Sequence, residues 1–482
     1  MVYMVSILGD KYMKKCFPKT LLAICALILL NTNSIYALSP FGGENILKKI
    51  EETAVKKVKG AKDAIVDKAK DVKDAVVDKA KDVKDAVVDK AKDVKDAVVE
   101  KAKDVKEAVL DKYSKVTSKV NTFFNKDKVP SYVKEAIFLP GHESKEMICQ
   151  GIAYLPDEVM DATQQGKGDD HRYVLLSYYP KKSEQPSQIV VIDRETAKPI
   201  RHFSLYKKNG KPYTGHAGGI AVAGKYVWIS SGRTLYGYNT QEILDFIADE
   251  KTTAKAEEGI PDSLDVLPAK NLTCVDYYDV DSKASFVSFD GKYIWVGDFA
   301  KGIGKDYSPI KHHKIMGRNS WIAGYLVDTN GFPTSTVEYK YTDDGSEETA
   351  HKPDVVIAMR DFVQGMAFCG DYVTLSVSMG PINSRLAVYK NPMVKKGKKI
   401  TYKPEGCDKK FTVEAWELST LKNWKKTKTI SAGSEDLEFD GENLYVAFEI
   451  SSKNYHQSWI NINPTIKTTK YFYIIDFEKL MD

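Results

Sequence analysis

Five segments of this chain repeat one short pattern, and a chain with five copies of one strand pair has few ways to fold. They begin at Cys149, Ala217, Ala284, Val363 and Ser434, so successive copies start 67 to 79 residues apart. Three of them carry a glycine at the third position, as Gly151, Gly219 and Gly365, where the other two have Phe286 and Asp436. The last four run through a tight turn into a second apolar run. Examples are Gly224-Lys225 before Tyr226-Val227-Trp228 and Asp290-Gly291 before Tyr293-Ile294-Trp295. Asp440-Gly441 before Leu444-Tyr445-Val446 repeats the arrangement. A Gly-containing turn between two alternating apolar runs predicts a hairpin, because glycine adopts positive φ at no steric cost. The first copy reaches its second strand, Tyr173 to Ser177, through a longer loop.

Further strands follow in some units. Gln188 to Asp193, a polar turn at Arg194-Glu195-Thr196, and Ile200 to Leu205 predict a third and fourth strand in unit one. The runs 414–418 and 425–430 give the same shape, expected as the outer strands of unit four. Four antiparallel strands per unit, five times over, predict a mainly β fold, a five-bladed β-propeller spanning residues 129–482. The competing readings are a pair of β-sandwiches or a propeller of six or seven smaller blades. A strand over residues 132–139 is expected to close the ring beside residues 471–477.

A different periodicity precedes this domain. Residues 67–110 are four near-identical copies of an eleven-residue unit, beginning Asp67-Lys68-Ala69-Lys70-Asp71-Val72. Eleven residues are close to three helical turns, so Ala69, Val72, Val76, Ala80, Val83 and Val87 share one stripe. Lysines and acids fill the other faces in i,i+3 and i,i+4 opposite pairs. The expectation is a long amphipathic α-helical arm within residues 38–128, with helix over 44–124. Its stripe holds only Ala and Val, which bury little area per turn. The arm is therefore read as a spacer, as a self-associating coiled coil, or as a weak surface or lipid contact. The missing Trp, Phe and Leu argue against deep membrane insertion.

Lys14, Lys15 and Lys19 followed by the apolar run 21–30 and Ser34-Ile35-Tyr36-Ala37 read as a signal peptide over residues 1–37, with cleavage after Ala37. The expected location is secreted or cell-envelope, outside the cytoplasm. The basic count of 71 against 66 acidic residues leaves a net charge of only +5, too diffuse for a nucleic-acid partner. Cys149, Cys274, Cys369 and Cys407 follow the leader with no CxxC pair, so a cysteine zinc site is not expected. One disulfide is open to an exported chain, but the spacing does not choose the partners.

The repeated Gln-Gly-(Ile/Met)-Ala and Gly-x-Tyr-(Val/Ile)-(Trp/Thr) patterns resemble those of secreted bacterial β-propeller proteins over residues 130–482. That resemblance implies a fold and no activity. The eleven-residue units resemble those of exchangeable apolipoproteins, synucleins and late-embryogenesis-abundant proteins, over the arm alone.

First strands line a propeller's channel, so aligned positions should converge there. They hold Gln150, Ser285, Gln364, Glu435 and Asp436, joined by His216 before unit two and by Asp298 and Glu449 at the ends of second strands. These eight residues are the expected ligand site. Carboxylates and amides around a hole suit Ca²⁺ better than zinc. Glu435-Asp436-Leu437 resembles the calcium-binding glutamate strand of the gluconolactonase and arylesterase propellers, whose other ligands find no match here. No metal ligand set is therefore assigned. His312 and His313, beside Lys311 and Lys314, read as an exposed loop. No GxSxG, HExxH, Walker or dinucleotide motif is present. The expected function is a binding module with its ligand or partner site at the channel mouth. The alternative is an extracytoplasmic hydrolase of sugars, lactones or phosphoesters built on channel carboxylates such as Asp298, Asp361, Glu435 and Glu449.

Overall fold

A computed structural model describes residues 129–142, 146–163, 172–181, 184–249, 267–302 and 307–482. All belong to a compact unit spanning residues 107–482. The segments read above as a leader (1–37) and a helical arm (38–128) lie outside the described residues.

Strand β1 (Val133–Phe138) comes first and is used last. Blade one is β2 (Met147–Leu155), β3 (Tyr173–Pro180), β4 (Gln188–Asp193) and β5 (Lys198–Tyr206), each antiparallel to the next. Blade two is β6 (Gly219–Ala223), β7 (Tyr226–Ser231) and β8 (Thr234–Asn239). A helix, Thr240–Ala248, then leads outward, capped by the Asn239 side chain, which accepts the Glu242 amide. The chain returns as β9 (Ala269–Thr273), parallel to β5 at the rim of blade one, and as β10 (Asp276–Asp279), the fourth strand of blade two.

Blade three is β11 (Phe286–Phe289), β12 (Tyr293–Gly297), β13 (Ser320–Leu326) and β16 (Val355–Met359). The hairpin β14 (Glu338–Asp343) and β15 (Ser346–His351) is inserted before its last strand. Blade four is β17 (Val363–Cys369), β18 (Tyr372–Val377), β19 (Arg385–Lys390) and β22 (Trp424–Thr429). Between them β20 (Lys398–Tyr402) and β21 (Phe411–Glu417) leave the blade and extend blade three, β21 lying parallel to β16. The expectation for residues 414–418 is thus corrected. Arg385–Lys390, with the apolar run Leu386-Ala387-Val388-Tyr389, takes the third position of blade four, and Phe411–Glu417 covers the neighbour's edge. An added strand satisfies amides that an open edge would leave unpaired.

Blade five is β23 (Ser434–Phe439), β24 (Asn443–Phe448) and β25 (Tyr471–Asp476) from the C-terminal end, completed by β1. Phe138 pairs with Tyr471 and Val133 with Ile475, the closure expected from the sequence. The inner strands β2, β6, β11, β17 and β23 each neighbour the next, and β23 neighbours β2, so the ring is complete with five blades.

Two of the four repeated turns share their wiring. Asp290 Oδ1 accepts the amides of Lys292 and Tyr293, and Asp440 Oδ1 accepts those of Glu442 and Asn443. The other oxygen of each takes a ring donor from the second strand, Trp295 Nε1 at 2.8 Å and the Tyr445 hydroxyl at 2.7 Å. Gly291 and Gly441 supply φ of 84° and 100°. The inner strands approach so closely that a Cβ on Gly219 would lie 2.5 Å from the Val287 nitrogen. That approach is why glycine recurs at the third position. The four cysteines among the described residues, Cys149, Cys274, Cys369 and Cys407, are buried and form no disulfide with one another. Among the described residues no helix is long and apolar enough to cross a membrane.

Candidate functional site

The inner strands bring four of the expected site residues into one cluster. β23 carries Glu435, and its hairpin partner β24 ends at Glu449, the start of a 3₁₀ turn. The Glu449 amide returns to the Gly433 carbonyl, where φ of 66° lets the chain double back. Glu435 and Glu449 are hydrogen-bonded to each other through their carboxyl groups. Gln364 Nε2 on β17 donates to Glu435 Oε1 at 3.2 Å, and the Gln150 side chain on β2 reaches Glu449. Two amides and two carboxyls, from blades four, one and five, thus meet in one polar cluster, in which Gln150 Nε2 also donates to the Cys149 carbonyl at 3.1 Å.

Two carboxyls can share a hydrogen bond only if one holds a proton. Burial, the adjacent Glu449 charge and Asp436 push Glu435 well above the ordinary glutamate range. Burial also raises Glu449, to about 7, against the opposing hydrogen bonds from Glu435 and Gln150. Burial thus favours the protonated forms of both, and Glu449 is the member that exchanges its proton near neutral pH.

Aromatic side chains surround the pair. Tyr179, from β3, lies against the His216 ring at 4.1 Å and bonds the Tyr455 hydroxyl at 3.2 Å. Tyr455 belongs to the helix Lys453–Ile462, and both tyrosines feel the charges of Glu435 and Glu449. Tyr307 is exposed and within electrostatic reach of Tyr455. His216 touches solvent, yet burial of its ring lowers its pKa to about 4. The imidazole is neutral at pH 7 and packs against Tyr179 with the ring planes tilted by 33°.

Not every expected residue joins this cluster. Ser285 lies on the inner ring beside Gly218 and is half-buried. Asp436 is fully buried, and its Oδ2 accepts the amides of Ile220 at 3.1 Å and Ile152 at 3.5 Å. It ties blade five to blades two and one. Asp361 accepts Asn319 Nδ2 and the Gly302 amide. Asp298 bonds Ser282 Oγ at 2.6 Å and His313 Nδ1 at 3.0 Å, in a separate group. That group corrects the reading of His312 and His313 as an exposed loop. Both rings are buried, because Asp281 and the aromatic residues of β13, β14 and β20 enclose them. Sequence reasoning missed Tyr179 and Tyr455, single tyrosines outside any repeated motif.

No family model and no curated protein matches the sequence. Among solved structures the chain is similar to the glutaminyl cyclase of Myxococcus xanthus, at 5% identity and a TM-score of 0.32, covering 71% of this chain and 94% of that one. It is also similar to BamB from Moraxella catarrhalis, at 9% identity and a TM-score of 0.23, covering 62% and 82%. Likenesses this distant leave the chemistry to be argued from the side chains.

Proposed function

We propose that this protein is an extracytoplasmic binding module that takes a small, uncharged, polar ligand at the channel mouth. The arrangement of Glu435, Glu449, Gln150 and Gln364 under a rim of Tyr179, His216 and Tyr455 carries this reading. A carboxyl pair whose burial favours the protonated, neutral forms, beside two amides, offers donors and acceptors together. Flat aromatic faces beside such a polar floor suit a ring or planar amide. The leader-like segment 14–37 supports a site outside the cytoplasm, and the repeat arm supports display on a spacer.

A second reading, acid–base catalysis by the pair, draws on Glu449 alone, whose raised pKa of about 7 suits proton transfer near neutral pH. The mutual hydrogen bond argues against a glycosidase, which holds its two carboxyls roughly 5–9.5 Å apart to admit a sugar bond or water.

Calorimetric titration with neutral mono- and disaccharides and primary amides, alongside charged analogues, tests the proposal. Tyr179→Ala and Gln364→Ala should each weaken the best neutral ligand about tenfold or more, with the ligand recovered unchanged. Preference for charged ligands, or indifference to both substitutions, would refute the binding reading. A chemically altered ligand would establish the second.

A further inference from the structure

The buried group around Asp281 has the form of a metal site. Asp281 lies in the crossing from β10 to β11, and His312 and His313 are adjacent in the 3₁₀ turn Lys311–His313. His312 Nε2 stands 2.9 Å from both Asp281 oxygens, and His313 Nε2 stands 3.0 Å from Oδ1. One donor atom from each of the three side chains falls within 4.8 Å of the others. The far nitrogen of His313 meets Asp298 Oδ2 at 3.0 Å, and Asp298 is itself held by Ser282 Oγ and the Lys283 amide.

We propose that Asp281, His312 and His313 bind one divalent first-row transition-metal ion, zinc or a close analogue. The argument begins with His313. When Nδ1 donates its hydrogen to Asp298, Nε2 presents a lone pair toward the Asp281 carboxylate, and a cation between them resolves that opposition. A carboxylate behind a ligating imidazole is the usual outer partner of a metal-bound histidine. Metal–donor lengths of about 2.0–2.2 Å at tetrahedral angles give donor separations of about 3.3–3.6 Å. The separations of 2.9 and 3.0 Å are a few tenths shorter, so the three side chains would open slightly around an ion. Two neutral imidazoles, Asp281 and Asp298 bring two negative charges, which balance a dication.

The surroundings fix the rings. His313 stacks on Trp321 with centroids 4.1 Å apart, and His312 lies parallel to Tyr402 at 5.6 Å. Trp321 Nε1 bonds the Asp281 carbonyl, the Asp281 amide bonds the Tyr325 hydroxyl, and the Tyr339 hydroxyl bonds Asp281 Oδ2. Imidazole donors select transition metals over Ca²⁺ or Mg²⁺. The enclosure makes the ion structural. It would fasten the inserted hairpin β14–β15 and the added strand β20 to blade three. The site shares no residue with the Glu435–Glu449 pair.

The full-length protein, stripped with a chelator, should bind one equivalent of Co²⁺, develop visible d–d absorption, and lose that absorption to Zn²⁺ but not to Ca²⁺. Zn²⁺ should raise the thermal midpoint. His312→Gln should abolish the absorption, and Asp298→Asn, which leaves the three ligands in place, should weaken binding about 10–100-fold. Folding of each variant is checked by circular dichroism. A folded wild-type protein that takes up no stoichiometric Co²⁺ and gains no stability from Zn²⁺ overturns the proposal, as does a folded His312→Gln that binds like wild type.

Discussion

Asp436 in blade five accepts the backbone amide of Ile220 in blade two at 3.1 Å, across 216 residues of chain. Burial pushes its carboxyl well above the ordinary aspartate range, against the opposing hydrogen bond from Ile220 and with further upward push from Glu438. The side chain therefore works as a neutral acceptor. Asp436→Asn should be nearly silent in chemical denaturation, since the amide oxygen can take the same role. Asp436→Ala should cost about 1–3 kcal/mol by orphaning a buried amide. Equal effects of the two substitutions would show that the charge matters instead.

The glycine at the third position of the inner strands makes a sharper demand. A Cβ at residue 219 meets the Val287 nitrogen at 2.5 Å and the Phe286 Cα at 2.9 Å, both backbone atoms that cannot rotate away. Gly219→Ala should destabilise the domain by about 1–3 kcal/mol, read as a lower urea midpoint at unchanged slope. Gly210, with nothing near its Cβ but φ of 75°, serves as the comparison for backbone conformation alone.

The sign of the pH dependence at Glu449 follows from its raised pKa. Between the ordinary value of 4.5 and about 7 the folded state holds a proton that the unfolded state has released. This contribution is complete below about pH 4.5, is lost as pH rises toward 7, and is flat above that. Comparing thermal midpoints of wild type and Glu449→Gln from pH 4.5 to 8 isolates it. The wild type should lose ground relative to the variant over that interval. A difference curve with no slope there would remove Glu449 as the titrating group.

Closure of the ring rests on β1 pairing with β25. A chain beginning at residue 129 should unfold cooperatively, whereas one beginning at residue 141 should lose that cooperativity or aggregate, because blade five then exposes its outer edge. Equal melting of the two chains would mean that β1 is dispensable.

The arm's stripe of Ala and Val predicts partial helix for an isolated peptide of residues 44–124 at low concentration. Circular dichroism that rises with peptide concentration would establish self-association. A rise only with anionic vesicles would establish surface contact. High helicity indifferent to both would leave the spacer.

The five blades were legible because their information is local. Two of the repeated turns satisfy their own amides through Asp290 and Asp440, and three of the inner strands carry glycine where they approach a neighbour closely. The closing strand was legible because residues 132–139 had no other partner. The third strand of blade four was misread, since Arg385–Lys390 and Phe411–Glu417 are equally good strands and only tertiary packing assigns their sheets. His312 and His313 were misread for the same kind of reason. Flanking lysines suggest solvent, while the residues that bury the pair come from β13, β14 and β20. The aligned strand positions singled out Glu435, Gln150 and Gln364, with Glu449 at the end of a second strand, and these four side chains lie together in the fold. The hydrogen bond joining the two glutamates, like the approach of Tyr179 to Tyr455, 276 residues away, depends on the folded ring.

The pairing of Val133–Phe138 with Tyr471–Asp476 also sets a timetable. Blades one to four take their four main strands from successive stretches of chain, only the added β9, β20 and β21 coming later, and can assemble in the order of synthesis. Blade five cannot, because its outermost strand is made among the first of the domain and its neighbour among the last. The early strand must wait, unpaired, through the synthesis of more than three hundred residues. Until then it is a sticky edge, open to capture by another nascent copy. The fold thus stakes its yield on whatever shields Val133–Phe138 during that interval, so the vulnerable moment comes before completion and leaves no trace in the finished molecule.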